Sequence, residues 1–187
     1  EYKEDYVHYG ISPYSVIREY VSILLNEKIR KRFIDKKFVN ELPLNEKFLF
    51  FPLHVQPERN VDIDAPFYAN QIQVIANIAK SLPVDFKLYV KEHPQMNLRH
   101  WREISDYKEI MELPNVKLIH PSVDPKLLLD KCSIVINIAG TAGLEAALYE
   151  KPSIVFTDTI YASLPSVYRL KSLEELPNAI RELLKVK

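Results

Sequence analysis

The chemistry-bearing residues of this chain are easiest to find around position 140. The stretch "NIAGTAGLEAALYE" carries Gly140 and Gly143, two of only three glycines in 187 residues, with Thr141 and Ala142 between them and Glu145 just after. Glycines at a turn from a strand into a helix let the backbone bend sharply, and the first N–H groups of a helix have no acceptor of their own. With no side chain in the way and a hydroxyl alongside, such a turn suits a phosphate. The same glycines serve equally to let a helix pack closely on a sheet, helped by Ala142, Ala146 and Ala147. Both readings stand on these residues. The spacing is neither Gly-x-Gly-x-x-Gly nor a lysine-bearing Walker loop, which disfavours the common dinucleotide and P-loop sites.

Further polar residues gather where apolar runs stop. "KFLFFPLHVQPERN" runs out into His54, Gln56 and Glu58, and "FKLYVKEHP" into Lys91, Glu92 and His93. "NVKLIHPS" is followed by His120, "SIVINIAG" by Asn137 and the glycine turn, and "PSIVFTD" by Thr157 and Asp158. Three of the five histidines therefore fall at such edges, which supports a polar site. His54 and His120 are equally suited to capping a turn through their ring nitrogens. Pro94 holds His93 in an extended conformation, so that imidazole is aimed. The absence of a cysteine pair or a His-x-x-x-His spacing gives no basis for a dedicated metal site, and no serine sits in a nucleophile elbow. The single cysteine, Cys132, precedes an apolar run and reads as a packed thiol.

The elements that must hold these residues follow from periodicity. "GISPYSVIREYVSILLNEKIRKRF" has Ser12 as N-cap, Pro13 at the first helical position and Val16, Ile17, Tyr20, Val21, Leu24, Leu25 and Ile29 at helical spacing. This predicts a long amphipathic helix whose end carries Lys28, Arg30, Lys31, Arg32, Lys36 and Lys37. After "NELPLNEK", short apolar runs alternate with helical patterns. Strands are expected at "KFLFFPLH", "FKLYVKEHP", "NVKLIHP", "SIVINIA", "PSIVF" and "SVYRLKS". Between them lie "APFYANQIQVIANIAKSL", with Ile72, Ile75, Ala76, Ala79 and Leu82 on one face, and "LRHWREISDYKEIMEL", "DPKLLLDKC" and "TAGLEAALYE". A last helix is read in "SLEELPNAIRELLKVK". Strands without clean alternation, each followed by a helix, predict an α/β fold with a doubly wound parallel sheet. Ligands then bind beyond the carboxyl ends of the strands. The expected division is a helical linker over residues 1–47 and a sheet domain over 48–187.

Composition bounds the function. Twenty-five basic and twenty-five acidic residues give no net charge, which argues against nucleic acid as a partner. No apolar stretch approaches the roughly 20 residues that cross a bilayer, and "EYKEDYVHYG" is not a signal peptide. A soluble, cytoplasmic protein is expected. The basic end of the first helix permits peripheral contact with the inner face of a membrane.

Taken in order, "FPLHVQPERNVD", "NQIQVIANIAKSLP", "LYVKEHP", "NVKLIHPSVD" and "INIAGTAGLEAALYEKPSIVF" resemble the capsule polysaccharide biosynthesis family that includes β-Kdo transferases. The likeness covers about residues 48–158. It implies a Rossmann-like domain forming the donor-binding, carboxyl-terminal half of a GT-B glycosyltransferase. The substrate would be a nucleotide-sugar, with CMP-activated keto-sugar acids such as CMP-Kdo as characteristic donors, and the acceptor a saccharide or lipid-linked saccharide. By this resemblance His93, Gly140, Thr141, Ala142 and Gly143 would hold the nucleotide phosphate, and Glu145 would reach a ribose. Gln56 and Glu58 would face the sugar, with Lys91, Glu92 and His120 in the same cleft. No metal or cofactor is implied. A GT-B enzyme has two such halves, and this chain, which starts at Glu1, has room for one, so a longer parent and an incomplete catalytic site are expected. No general base is named. Two rivals remain: an enzyme like UDP-N-acetylglucosamine 2-epimerase, which shares the architecture, and a non-catalytic module in polysaccharide assembly or export.

Overall fold

A computed structural model describes residues 12–43, 45–57, 59–93 and 102–185. Backbone contacts divide the chain into two units, Glu1–Lys37 and Phe38–Lys187. The first unit contains helix α1 (Pro13–Lys37). Its start is built as its sequence dictates: Ser12 Oγ accepts the Ser15 N–H at 3.1 Å, and Pro13 occupies the first position, where a missing N–H costs nothing. Lys36 and Lys37 sit in the last turn, where the helix dipole favours positive charge. The helix leaves Tyr14, Ile17, Tyr20, Leu25 and Ile29 exposed. Among the described residues, no helix is long and apolar enough to cross a membrane.

The second unit is built on a parallel sheet. Its strands are β1 (Lys47–Pro52), β2 (Phe86–Lys91), β3 (Val116–Ile119), β4 (Ile134–Asn137), β5 (Ser153–Val155) and β6 (Val167–Arg169). Their order is β3-β2-β1-β4-β5-β6, and every pairing is parallel. The chain thus moves outward from β1 in one direction and then, from β4, in the other. That reversal opens a crevice between the carboxyl ends of β1 and β4. The central strands are apolar on both faces because both are covered: Leu49, Phe51, Leu88, Val90, Ile134 and Val135 are buried. Phe48 stacks on Tyr89 with ring centroids 4.1 Å apart, and Phe38 meets Tyr107 edge-on at 5.1 Å.

The connecting helices are α2 (Arg59–Asp62), α3 (Gln71–Ser81), α4 (Ile104–Met111), α5 (Pro125–Lys131), α6 (Ala142–Leu148) and α7 (Leu176–Lys185). Asn70 caps α3 by accepting the Gln73 N–H at 3.0 Å, and Asp124 caps α5 by accepting that of Lys126 at 2.9 Å. Two details depart from periodicity. Pro66 starts a separate 3-10 turn, Pro66–Tyr68, rather than the long helix, because Asn70 supplies a stronger start four residues on. The buried face of α3 runs through Gln71, Val74, Ile75, Ile78 and Ala79, one residue round from the stripe through Ile72 and Ala76. The rotation places a polar side chain, Gln71, inside the domain, where it has work to do at the crevice.

Candidate functional site

One wall of the crevice is the end of β1. His54 follows the strand, and its main chain is clamped by Gln71 from the first turn of α3. The His54 N–H donates to Gln71 Oε1 at 2.8 Å, and Gln71 Nε2 donates to the His54 carbonyl at 3.1 Å. Arg102 Nη2 donates to the same carbonyl at 2.7 Å. The His54 ring is 7% exposed, and its Nε2 accepts the Ala139 N–H at 3.2 Å. Burial drives its pKa down to about 4, assisted by the positive potential of His93 and Arg102 and opposed by the Pro52 carbonyl. The imidazole is therefore neutral at pH 7, with Nε2 as acceptor and the proton on Nδ1. That Nδ1 makes no well-formed hydrogen bond.

The end of β2 supplies Lys91, Glu92 and His93. Lys91 is 3% exposed; its Nζ donates to the Pro121 carbonyl at 2.7 Å and approaches that of His120 at 3.4 Å, pinning the loop after β3. Burial lowers its pKa, and the negative charges of Asp124 and Glu92 oppose that shift. Glu92, 1% exposed, accepts the Tyr107 hydroxyl at 2.8 Å and the His93 N–H at 3.1 Å, and its Oε2 lies 3.2 Å from Arg102 Nε. A buried carboxylate needs such company, since an unpaired one would be strongly penalised.

The opposite wall is the turn from β4 into α6. Asn137, fully buried, donates from Nδ2 to the Gly140 carbonyl at 2.8 Å and to the Tyr161 hydroxyl at 3.2 Å, while that hydroxyl donates to the same Gly140 carbonyl. Close approach dictates Gly143 and leaves Gly140 little room. A Cβ on Gly143 would stand 2.8 Å from Tyr161 Cε2 and 3.0 Å from Asn137 Oδ1; one on Gly140 would stand 3.2 Å from His54 Nε2. At Gly143 the packing role is thus a fact of the structure. Thr141 precedes α6 and its hydroxyl donates to Glu145 Oε1 at 3.0 Å. The first N–H groups of α6 have no acceptor within the helix.

Between these walls lies a cavity of about 340 Å³. His93, Lys91, Glu92, Gly140, Thr141, Ala142 and Glu145 line it together with His54. Phe50, Leu53, Val55, Pro125 and Leu129 add apolar surface. Other candidates fall elsewhere. Gln56 lies outside the lining and uses its amide on protein partners: Asp62 Oδ1 at 3.0 Å, the Ala69 carbonyl at 2.9 Å and Gln71 Nε2 at 2.7 Å. His120 is also outside it; its Nδ1 accepts the Ser122 N–H at 3.2 Å and lies 2.6 Å from Ser122 Oγ, closing a turn. Gly143 sits behind the lining, and Glu58 lies outside the described residues. Sequence reasoning missed Gln71, Arg102 and Tyr161, which fix the walls. The signal for Gln71 was a lone amide on an otherwise apolar helix face; Arg102 had none, because its partners lie 10 to 48 positions away in the chain.

The sequence model of a family described as "Capsule polysaccharide biosynthesis protein" matches residues 2–172. No curated protein matches the chain. Among solved structures, the β-Kdo 2,7 transferase of Thermosulfurimonas dismutans KpsC aligns with a TM-score of 0.54 and 14% identity, over 87% of this chain and 62% of that one. The β-Kdo 2,4 transferase of the same protein aligns at 0.50 and 18%, over 76% and 47%. UDP-GlcNAc 2-epimerase from Methanocaldococcus jannaschii, in complex with UDP-GlcNAc and UDP, aligns at 0.55 and 19%, over 88% and 45%. These likenesses establish a shared fold, the Rossmann-like fold of GT-B enzymes. The chain spans about half the length of the structures it matches.

Proposed function

This chain belongs to the capsule polysaccharide biosynthesis family, and from that premise we propose that it binds the nucleotide of an activated sugar for glycosyl transfer in surface polysaccharide synthesis. The observation that carries this is the cavity at the switch point between β1 and β4, where His93, Thr141 and Glu145 converge over an apolar floor. Each group has a role suited to its chemistry. Phe50, Leu53, Pro125 and Leu129 offer a flat base an apolar bed. Glu145, which accepts only the Thr141 hydroxyl among the described residues, has a second oxygen for ribose hydroxyls. His93 and the N–H groups at the start of α6 face the phosphate and would stabilise the negative charge that develops on it as the sugar leaves. We assign no resident metal or cofactor to this step. Neutral His54 shapes the pocket without adding charge.

The finer reading is a CMP-activated keto-sugar acid such as CMP-Kdo as donor, a saccharide or lipid-linked saccharide as acceptor, and work on the cytoplasmic side of the membrane. The sugar class in this reading is supported by the family and by the two KpsC transferases, both β-Kdo transferases. The fold is shared equally with the epimerases, and that keeps a UDP-sugar enzyme as the second reading.

Calorimetric titration of the 187-residue chain with CMP and with UDP tests both. Saturable CMP binding, weakened about tenfold by His93→Ala, is expected; that factor is the size of one hydrogen bond to a charged group. A preference for UDP would move the assignment to the epimerase-like reading. Binding of neither would overturn the nucleotide site.

A further inference from the structure

Helix α1 has one face whose character changes along its length. Tyr14, Ile17, Val21 and Leu24 follow one another at alternating spacings of three and four residues, which sets them on one seam. The same spacing next reaches Lys28 and Lys31. The four apolar members are 46 to 77% exposed, and Tyr20 and Leu25 stand exposed on either side of them. Ser15, Ser22 and Asn26 occupy the far side of this half of the helix. An exposed apolar face of about three turns, backed by polar residues, marks a surface that meets a partner.

The two lysines decide which partner fits. A bilayer fits poorly, because a helix lying flat on its seam would carry Lys28 and Lys31 into hydrocarbon at the centre of the immersed face. A parallel copy fits poorly too, since it would set each lysine against its own counterpart. An antiparallel copy avoids both. With Tyr14 opposite the partner's Leu24 and Ile17 opposite the partner's Val21, the apolar halves cover each other and the lysines project past the overlap. The surface beside Leu24 has the matching shape: a groove of about 430 Å³ lined by Leu24, Leu25, Glu27, Lys28 and Lys31. Part apolar and part charged, it suits a tyrosine, with its apolar ring and polar hydroxyl. Each copy offers on the order of 600 Å² of apolar surface, so a pair reaches about 1,200 Å², where specific interfaces begin.

We propose that the apolar half of α1 is a self-association surface: it pairs antiparallel with α1 of a second copy of this chain, and Tyr14 seats in the groove beside the partner's Leu24. The interface is small, so a dissociation constant in the micromolar range is expected. The proposal goes beyond nucleotide binding and does not depend on it, because no residue of α1 lines the cavity between β1 and β4.

Sedimentation equilibrium of the 187-residue chain through the micromolar range tests it. The mean mass should rise with concentration from the monomer's 21.8 kDa toward twice that value. Leu24→Glu should weaken association by at least about thirtyfold, the effect of losing a buried anchor. Tyr14→Ala should act in the same direction, and Ser22→Glu, on the far side, should leave association unchanged. Orientation is read by oxidising a mixture of Tyr14→Cys and Leu24→Cys chains, in which the buried Cys132 takes no part. Antiparallel pairing gives the disulfide between unlike chains, and parallel pairing gives disulfides between like chains only. Neither cysteine variant adds a charge, so this result decides the matter even if Leu24→Glu unwinds the helix. A chain that stays monomeric, a dimer indifferent to Leu24→Glu in a helix that circular dichroism shows intact, or disulfides between like chains only would each overturn the proposal. A monomeric chain that sediments with vesicles of phosphatidylglycerol and phosphatidylethanolamine would give the face to a membrane instead. Calorimetric titration of Leu24→Glu with CMP should match that of the parent chain, so loss of the nucleotide reading leaves this proposal standing.

Discussion

The two walls of the crevice solve different problems with the same kinds of residue. On the wall made by the ends of β1 and β2, the buried polar side chains are occupied with the protein itself. Gln71 and Gln56 hold the chain around His54, Arg102 bridges His54 and Glu92, and Lys91 ties down the loop after β3. On the wall made by the β4 to α6 turn, the polar fixings lie behind the surface, in Asn137 and Tyr161, while Thr141 and Glu145 stand exposed at the front. Position alone therefore says little about role. The charged residues buried in the first wall are scaffold, whereas in the second the Thr141 hydroxyl pairs with Glu145 on an exposed surface that a ligand can reach.

The largest expected effect breaks the first wall. Arg102→Met would leave Glu92, 1% exposed, with the Tyr107 hydroxyl and the His93 N–H but without its ion-pair partner, the Lys91 charge acting on it without a direct contact. Removing one partner of a buried ion pair costs about 3 to 5 kcal/mol, so urea denaturation should show a loss of that size. Adding Glu92→Gln should recover much of it, since the stranded charge goes with the carboxylate. A loss under about 1 kcal/mol in the single variant would show that the first wall is not held this way.

The difference between the walls also explains how much could be read in advance. The parallel sheet and its order of elements were legible because strands buried on both faces must be nearly continuous in apolar residues, as "KFLFFP" and "SIVINIA" are. The turn at Gly140 was legible because a tight approach demands glycine, and few glycines were available to be misread. Its counterpart was not. Arg102 binds atoms of His54 and Glu92 that only tertiary folding brings near, and Gln71 is buried because it clamps His54, against the periodicity of its own helix. His54 and His120, alike on paper, part company for a local reason: Ser122, two residues beyond His120, bonds back to that ring.

A pH titration sharpens the contrast at His54. Its folded pKa is about 4 and its unfolded value about 6.5, so between those limits the unfolded chain binds the extra proton. Stability tied to this group is complete above pH 6.5 and falls as pH drops toward 4, by on the order of 3 kcal/mol across the window. His54→Gln, which retains an acceptor for the Ala139 N–H and does not titrate, should flatten that acid limb when unfolding free energies are compared from pH 4 to 7. An unchanged slope would mean that the ring takes up its proton in the folded state without penalty, and that the first wall is more open to water than its burial indicates.

The smallest effect on stability is expected in the second wall, and that smallness separates contact from scaffold. Thr141→Val removes one exposed hydrogen bond, from Oγ1 to Glu145, and keeps a β-branched side chain of similar volume. Exposed bonds of this kind contribute little, so the unfolding free energy should change by less than about 0.5 kcal/mol. Nucleotide affinity should nevertheless fall about fivefold, because the hydroxyl lost is one the protein does not need for itself. Glu145→Gln should behave alike if the carboxylate meets ribose hydroxyls, since an amide accepts more weakly than a carboxylate. Were Thr141→Val to cost stability on the scale of Arg102→Met, the hydroxyl would belong to the scaffold, and the walls would differ only in which residues they use to do the same thing.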